Sequence, residues 1–202
     1  MFWYIFISIV AYLIGSINLS IILCKKIKGE DIRNFGSGNA GSTNTLRTLG
    51  KLPAAATLLF DILKGVVVVL VAQLISKTGW ILDSRLFIQL AGIFVILGHD
   101  FPIYYGFRGG KGVATSLGVI MAINPKIGAI CLVFGILIII VTRIVSLASV
   151  TVASLYAIAV LFLMSDYFIF SLIIVAILLF KHRSNIQRLI KGTENKIGQK
   201  VK

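Results

Sequence analysis

Two glycine-rich segments of this sequence contain the residue types that bind phosphate groups. The first is residues 34–44, Asn-Phe-Gly-Ser-Gly-Asn-Ala-Gly-Ser-Thr-Asn, whose glycines allow backbone amides to turn inward and bind an oxyanion. Ser42 or Thr43 is expected to cap a helix through residues 45–49, and the amides and dipole at the start of that helix would favour an anion. Arg47 would lie within the helix, where its guanidinium can bind a phosphate. A flexible, solvated loop is the alternative interpretation.

The second segment is residues 106–116, Gly-Phe-Arg-Gly-Gly-Lys-Gly-Val-Ala-Thr-Ser. Its glycines again permit close approach of the backbone, and Lys111 supplies a positive charge at the start of a predicted helix. The segment is not a nucleotide-binding P-loop, because that motif requires glycine where Tyr105 stands and serine or threonine where Gly112 stands. It therefore indicates phosphate binding without ATP hydrolysis. The alternative is a tight glycine turn that lets two membrane helices pack.

Two smaller groups of polar residues lie in or beside apolar segments. Ser146 and Ser149 share a helix face near Arg143, although serines in membrane helices usually serve packing. Asp61 and Lys64 are three residues apart within an apolar run, where charges are costly without a partner. A structural ion pair is the favoured interpretation of this pair, ahead of a proton relay.

The C-terminal segment supplies a further candidate group. His182 and Asn185 are spaced so that both can face one ligand if the segment is helical, and Glu194 follows them. A basic tail beside the membrane is an equally compatible interpretation of residues 181–195.

The elements that must position these residues are predicted to be membrane-spanning helices. Hydrophobic residues make up 58% of the 202 residues and charged residues 13%, against about 25% charged residues in soluble domains. Residues 1–24 and 144–165 contain no charged side chain, and residues 52–76 contain only Asp61 and Lys64. Each run is long enough for the roughly 20 apolar residues that cross a bilayer as a helix. The fold class is therefore all-α, a polytopic integral membrane helix bundle.

Four shorter apolar runs leave the number of spans open between five and seven. They are shorter than a comfortable span and could be spans, buried helices or re-entrant pieces. The four runs are residues 86–98, 113–124, 127–142 and 167–180.

The positions of the basic residues predict an orientation in the membrane. Lys25, Lys26 and Lys28 directly follow the first run, so the positive-inside rule places the N-terminus outside and the following loop in the cytoplasm. With seven spans, the C-terminus is cytoplasmic, and most of the 20 lysines and arginines face the same side. A cleaved signal peptide is disfavoured, because residues 1–24 lack a basic start and a small-residue cleavage site.

The net charge of +13 is explained by contact with anionic lipid headgroups. It does not indicate a nucleic-acid partner, because no aromatic-basic motif or DNA-reading module accompanies it. Cys24 and Cys131 are too few for a disulfide framework. Neither His99 nor His182 has neighbours at the spacing of metal ligands, so no metal is expected.

Five segments in chain order resemble the bacterial acyl-phosphate:glycerol-3-phosphate acyltransferase family (PlsY). The resemblance extends from about residue 15 to residue 198 and is more specific than any one segment. At Ala40 and Ile144 the sequence departs slightly from the family pattern. The five segments are residues 36–44 with Arg47, 60–65, 109–115, 142–149, and 182–186 with 192–194.

The resemblance implies a bundle of seven helices with its active site at the cytoplasmic face of the bacterial inner membrane. Members of the family transfer a fatty acyl group from acyl phosphate to glycerol 3-phosphate, without acyl-CoA or acyl carrier protein as the direct donor. The products are 1-acyl-glycerol 3-phosphate (lysophosphatidic acid) and phosphate, and the pathway is phospholipid biosynthesis. We expect a single domain over residues 1–202 that acts as a monomer without a cofactor.

The resemblance also implies roles for individual residues. The catalytic residues implied are Ser37, Arg47, Lys111, His182 and Asn185. Those expected to bind acyl phosphate are Ser37, Gly38, Asn39, Gly41, Ser42, Thr43 and Asn44. Those expected to bind glycerol 3-phosphate are Arg47, Lys111, Ser149, His182 and Asn185. The supporting residues are Gly109, Gly110, Gly112, Arg143, Ser146 and Glu194.

The expected mechanism is direct attack of the primary hydroxyl of glycerol 3-phosphate on the acyl carbonyl. Acyl phosphate is already activated, so positioning and charge stabilisation supply much of the catalysis. The phosphate of the donor or His182 accepts the proton. A transporter of phosphate esters would use the same cations, but the internal repeat common in such transporters is not visible. A non-catalytic membrane scaffold is a third interpretation.

Overall fold

The structure, a computed structural model, describes residues 1–199. Every regular element in this part of the chain is helical, which confirms the predicted all-α fold class. The chain divides into two compact units, one formed by Met1–Asn124 and the other starting at Pro125.

The first unit contains six α-helices, and two short 3-10 helices lie in its loops. The α-helices are α1 (Phe2–Gly15), α2 (Leu19–Lys28), α3 (Ser42–Leu49), α4 (Lys51–Ser76), α5 (Ser84–Asp100) and α6 (Val113–Ile123). The 3-10 helices are Ile32–Asn34 and Ile103–Tyr105.

In the second unit, residues 125–199 form four α-helices and one short 3-10 helix. The α-helices are α7 (Pro125–Thr142), α8 (Val145–Leu163), α9 (Phe168–Lys181) and α10 (Arg183–Ile190), and the 3-10 helix is Ser165–Tyr167. Within this unit α8 packs against both α7 and α9, and α10 contacts α8 and α9.

Five segments of the described chain are long and apolar enough to cross a membrane, so the protein is a multi-pass membrane protein. The bent pair α9 and α10, which changes direction by 66°, would make a sixth span if it crosses as one. Helix α6 is apolar but shorter than the others. The choice between five and seven spans, and the orientation of the termini, therefore stay predictions. The five segments are Phe2–Lys28, Lys51–Ser76, Ser84–Tyr105, Pro125–Thr142 and Val145–Leu163.

Glycines bring the helices of the first unit into close contact. A Cβ atom on Gly15 of α1 would overlap the carbonyl oxygen of Val95 in α5, and one on Gly98 of α5 would overlap that of Tyr12. In the same way, a Cβ atom on Gly118 of α6 would overlap the backbone of α4. Small residues at such crossings let the backbones of membrane helices approach, so these glycines fix how α1, α4, α5 and α6 pack.

The first apolar run, expected to be one span, is interrupted at residues 16–18. Asn18 caps α2 by accepting from the amide of Ile21, and its Nδ2 donates to the carbonyl of Ala40 at 3.1 Å. The ammonium of Lys64 in α4 donates to the carbonyls of Gly15 and Ile17, each at 3.1 Å. These bonds satisfy backbone groups that a break exposes inside the membrane.

Candidate active site

Asn44 organises the first glycine-rich segment from inside. Its side chain is 1% exposed. The side-chain oxygen accepts from the amide of Ser37 at 3.0 Å, and the Nδ2 group donates to the carbonyls of Ile32 and Phe35 at 3.2 and 3.0 Å. Gly36 has a φ of 56°, and a Cβ atom there would overlap the Asn44 side chain. Through these bonds Asn44 holds the shape of the loop from inside, whereas Ser37 and Gly38 are exposed.

Helix α3 starts earlier than its predicted bounds, and its N-cap is Gly41. The expectation that Ser42 or Thr43 caps the helix is therefore wrong. The carbonyl of Gly41 accepts from the amides of Asn44 and Thr45 at 3.0 Å each, so the first turn of the helix begins at Ser42. No side chain in the described chain caps this helix start. The amides that precede Asn44 in this first turn have no acceptor further up the helix, and with the dipole they would favour an anion.

The second glycine-rich segment folds back onto the end of α5. The amide of Gly109 donates to the carbonyl of Asp100 at 3.2 Å, and that of Gly110 to the carbonyl of His99 at 3.1 Å. A Cβ atom on Gly109 would overlap the His99 carbonyl, and one on Gly110 would overlap the imidazole. Gly112 has a φ of 72° and is the N-cap of α6. This second helix start also lacks a side-chain cap within the described residues.

The two glycine-rich segments contact each other within the first unit. A Cβ atom on Gly110 would lie 2.9 Å from the carbonyl oxygen of Ala40, one residue before the N-cap of α3. Arg33 joins the segments a second time, because its Nη1 donates to the carbonyls of Tyr105 and Arg108 at 2.7 and 2.9 Å. Two helix starts are therefore held side by side, and the buried carboxylate of Asp100 lies beside the second one, 3.0 and 3.2 Å from the position of a Cβ atom on Gly112.

Asp31 holds Arg33 in this bridging position. The Nε and Nη2 of Arg33 donate to the two carboxylate oxygens of Asp31 at 3.0 and 2.8 Å, a bidentate pair. Burial alone would raise the pKa of Asp31, but the hydrogen bonds and charge of Arg33 outweigh burial and lower it. Sequence reasoning missed both residues. The one signal was the Asp-x-Arg spacing just before the first glycine-rich segment.

The predicted cations of the first unit lie next to these helix starts. Arg47 is half-buried in α3, and Lys111 is half-buried between two buried glycines at the start of α6. Asn39, Ser42 and Thr43 are half-buried as well.

Glu194 is the centre of a hydrogen-bonded cluster in the second unit. Its Oε1 accepts from Ser146 Oγ at 3.0 Å and from Asn185 Nδ2 at 2.6 Å, and its Oε2 accepts from Arg188 Nε at 2.7 Å. Burial alone would raise the pKa of Glu194, but the bonds from Arg188, Asn185 and Ser146 lower it. The carboxylate thus ties α8 to α10. Arg188 was not singled out from the sequence.

His182 lies at the junction between α9 and α10 and is 2% exposed. Its Nδ1 lies 2.9 Å from the carbonyl oxygen of Leu178. Because a carbonyl only accepts, Nδ1 carries the proton of this bond, which leaves Nε2 as the basic nitrogen of a neutral ring. Asn185, one turn further on, is 5% exposed.

The remaining predicted residues of the second unit are near the start of α8. Ser149 is buried, and its hydroxyl donates to the carbonyl of Val145 at 2.9 Å. Arg143 has an exposed side chain, a φ of 60°, and a carbonyl that accepts from the amide of Ile197 at 2.8 Å. Within residues 1–199 no three His, Cys, Asp or Glu side chains lie close enough to hold a metal ion.

Comparisons with known proteins agree over nearly the whole chain. A model of the family described as glycerol-3-phosphate acyltransferase matches residues 5–192. A relative of that name from Thermoanaerobacter pseudethanolicus is 47% identical and covers 96% of both chains. Another from Clostridioides difficile is 49% identical and covers 98% of both chains.

Two crystal structures of PlsY, an integral membrane glycerol 3-phosphate acyltransferase, have the same fold. The glycerol 3-phosphate form has a TM-score of 0.87 at 36% identity and covers 96% of both chains. The lysophosphatidic acid form has a TM-score of 0.84 at 34% identity, covering 96% of this chain and 95% of the other. This chain therefore belongs to the glycerol-3-phosphate acyltransferase family and is an integral membrane acyltransferase.

Proposed function

We propose that the protein transfers a fatty acyl group from acyl phosphate to the 1-hydroxyl of glycerol 3-phosphate. The products are 1-acyl-glycerol 3-phosphate and inorganic phosphate, as a step of phospholipid biosynthesis. The observation that carries the proposal is the pair of uncapped helix starts, those of α3 and α6, whose glycine-rich segments contact each other. Two adjacent helix starts, with Arg47 and Lys111 beside them, suit a reaction in which donor and acceptor each carry a phosphate group.

The first helix start is the proposed site of the acyl-phosphate headgroup. Its backbone amides and dipole would stabilise the phosphate as it leaves, when its negative charge increases. The residues assigned to the headgroup are Ser37, Gly38, Asn39, Gly41, Ser42, Thr43 and Asn44. In this assignment Asn44 acts by shaping the loop, since its side chain already bonds three backbone groups.

In this proposal glycerol 3-phosphate is assigned to the residues that the family resemblance implies for it, Arg47, Lys111, Ser149, His182 and Asn185. Arg47 can bind a phosphate through its planar guanidinium, and Lys111 through its point charge. Gly109, Gly110 and Gly112 would hold Lys111 in place, and Ser146, Arg143 and Glu194 would support the polar residues. Those polar residues are Ser149, His182 and Asn185.

The proposed chemistry is a direct displacement at the acyl carbonyl. The substrate hydroxyl oxygen forms the new ester bond, and the carbon–oxygen bond to phosphate breaks. The hydroxyl proton goes to the departing phosphate or to Nε2 of His182, whose Nδ1 bond to Leu178 orients the ring as a general base requires. We propose that the reaction takes place at the cytoplasmic face of a bacterial inner membrane, catalysed by a monomer.

The donor is tested with the purified full-length chain in detergent or lipid. Palmitoyl phosphate and glycerol 3-phosphate are supplied together, lysophosphatidic acid is followed by mass spectrometry, and palmitoyl-CoA is the parallel donor. Product from palmitoyl phosphate alone, formed at a much lower rate at subsaturating glycerol 3-phosphate in Lys111→Ala, supports the proposal. Product from palmitoyl-CoA at an equal rate would overturn the donor assignment but not membership of the acyltransferase family.

A further inference from the structure

Three ionisable side chains form a buried cluster that the proposed reaction does not use. Lys64 Nζ lies 2.8 Å from Asp61 Oδ1 and 2.9 Å from His99 Nδ1. The three residues are 2% (Asp61), 5% (Lys64) and 3% (His99) exposed. The ion pair of Asp61 and Lys64 was predicted from the sequence and is confirmed. The contact of His99 with Lys64 was not predicted. Ionised groups inside a membrane helix are costly and are usually kept for a function.

The cluster is connected to the first glycine-rich segment through the break between α1 and α2. Lys64 binds the carbonyls of Gly15 and Ile17 on one side of that break. Asn18, the next residue, binds the carbonyl of Ala40 at 3.1 Å. Ala40 immediately precedes the N-cap of α3. A displacement of Lys64 would therefore reach the start of α3 through two hydrogen bonds, that of Lys64 to Ile17 and that of Asn18 to Ala40.

The cluster is connected more directly to the second glycine-rich segment. His99 Nδ1 faces Lys64, and the opposite edge of the ring, Nε2, faces Gly110 so closely that a Cβ atom there would overlap it. The amide of Gly110 donates to the His99 carbonyl at 3.1 Å. Gly110 is therefore bonded through its amide to the main-chain carbonyl of His99, and its Cα lies against the His99 ring. Lys111 is the next residue.

We propose that Asp61, Lys64 and His99 are positioning residues that fix the glycine-rich segment beneath Lys111, a role that rests on the proposed binding of glycerol 3-phosphate by Lys111. Lys64 holds the imidazole ring, Asp61 holds the ammonium of Lys64, and the ring supports Gly110. The cluster contacts the Lys111 segment directly through His99 and Gly110, whereas it reaches the start of α3 only indirectly, through Asn18 and Ala40. Its loss should therefore weaken binding of glycerol 3-phosphate more than that of acyl phosphate.

The test compares Lys64→Met with a matched control, Lys77→Met, which removes an exposed lysine at the end of the same helix. The full-length enzyme in detergent is assayed for kcat and for the KM of glycerol 3-phosphate and of palmitoyl phosphate. We expect Lys64→Met to raise the KM for glycerol 3-phosphate about tenfold or more, a change worth roughly 1.4 kcal/mol. The KM for palmitoyl phosphate should stay within about twofold, and Lys77→Met should match the parent enzyme in both, as surface changes usually do.

A double-mutant cycle separates positioning from an independent effect. Lys111→Ala is measured in the parent enzyme and in the Lys64→Met background. If Lys64 acts through Lys111, Lys111→Ala raises the KM for glycerol 3-phosphate by a smaller factor in the Lys64→Met background than in the parent enzyme. The reason is that the effects of residues that act as a unit are not additive. Strict additivity of the two effects on KM would overturn the proposal. The variant Gly110→Ala, which forces a Cβ atom onto the His99 ring, should show the same selective rise in KM.

Removal of a buried charge can prevent folding, so a second variant accompanies the first. Asp61→Leu combined with Lys64→Met replaces the ion pair by apolar residues, a change that proteins often tolerate. Thermal unfolding in detergent establishes which variants are folded. A folded double variant with an unchanged KM for glycerol 3-phosphate overturns the proposal. So does loss of folding in both variants, which would make the cluster a requirement of the fold alone.

The same measurements distinguish this proposal from the proposed function. If Lys111→Ala leaves the KM for glycerol 3-phosphate unchanged, the role of Lys111 is wrong and the positioning role falls with it. If Lys111→Ala raises that KM while folded Lys64→Met does not, the role of Lys111 stands and only the positioning role is overturned.

Discussion

Asn185 Nδ2 donates to Glu194 Oε1 at 2.6 Å, the shortest of the three bonds that converge on this carboxylate. The bond fixes which way the amide of Asn185 faces, because its nitrogen must point to the carboxylate. The side chain of Glu194 is 6% exposed and that of Arg188 is 37% exposed, so the bonds from the buried Asn185 and Ser146 are better shielded from water than the bond from Arg188. A residue near the end of the described chain thereby determines the geometry of α10.

The first prediction concerns the charge on Glu194. In Glu194→Gln, an NH2 group replaces one carboxylate oxygen. The NH2 group donates and cannot accept, so the side chain can no longer accept from Arg188 and from its other two neighbours at once. We expect a loss of about 1.5–3 kcal/mol in stability, the range for hydrogen bonds to charged groups, measured by thermal unfolding in detergent. Glu30→Gln, at an exposed carboxylate, is the control and should change the unfolding temperature little.

The stabilisation by Glu194 should also depend on pH. Its pKa is lower in the folded protein than the ordinary value of about 4.3. Such a group stabilises the fold above its unfolded pKa, and this contribution is lost as the pH falls through the folded pKa. The advantage of the parent protein over Glu194→Gln should be full at about pH 6 and should shrink below about pH 4. A constant difference across this range would contradict the assignment.

The second prediction concerns Asn44. Asn44→Ala removes three hydrogen bonds to the backbone of the first glycine-rich segment, at a cost of about 1–3 kcal/mol for the groups left buried. The KM for palmitoyl phosphate should rise, because the loop that is proposed to hold its headgroup loses its internal support. Asn34→Ala, at an exposed position ten residues earlier, should behave like the parent enzyme. Equal KM values for both variants would rule out the loop-shaping role.

The third prediction concerns the bridge between the two glycine-rich segments. Arg33→Lys keeps the charge but cannot reproduce the planar fork that binds Asp31 and two carbonyls together. We expect a fall in kcat/KM of about tenfold or more, which corresponds to the loss of one such contact. Asp31→Asn should cause a similar but smaller fall, and Glu30→Gln none. Activity equal to the parent in Arg33→Lys would show that the bridge is dispensable.

The fourth prediction concerns the proton acceptor. In His182→Asn, the amide can retain a bond to the Leu178 carbonyl, while the basic Nε2 is lost. Loss of a general base typically costs about 100–10,000-fold in rate. If the departing phosphate takes the proton, kcat at saturating substrate should fall by much less than this, and the KM for glycerol 3-phosphate should rise. A fall in kcat within the range for a lost base would instead assign the proton to His182.

The fifth prediction compares two glycines within membrane helices. A Cβ atom on Gly118 would overlap the carbonyl oxygen of Ile62, whereas one on Gly135 would meet Val152 Cγ2 at an ordinary 3.8 Å. Gly118→Ala should therefore lose about 1–3 kcal/mol of stability through overpacking. Gly135→Ala should be neutral or slightly stabilising, because alanine favours a helix. Thermal unfolding of both variants in one detergent provides the comparison.

The parts of the fold that depend on local sequence could be predicted. Residues 52–76 and 144–165 became α4 and α8 because apolar length alone decides whether a helix can cross a bilayer. The ion pair of Asp61 and Lys64 followed from helix geometry, since residues three apart are neighbours. The run 86–98 proved to be part of a longer helix, Ser84–Asp100, because Asp83 caps its start through the amide of Leu86.

The parts that depend on distant residues could not be predicted. The break at residues 16–18 is stabilised by Lys64, and no local pattern marks that partnership. His99 has an ordinary apolar context, and its place beneath Gly110 follows only from the fold. For Asn44, the family resemblance implied a contact with acyl phosphate, but its burial against the loop backbone is a tertiary property. The roles carried over from the family resemblance stay proposals.

The broken first helix has a consequence for how the protein is made. The carbonyls of Gly15 and Ile17 leave the ribosome well before Lys64, which follows Gly15 by 49 positions. A backbone break without partners is unfavourable in lipid, so the broken first span should stay near water or the insertion machinery until α4 is synthesised. The ammonium that completes the helix break thereby makes insertion of the first two spans a single, coupled event.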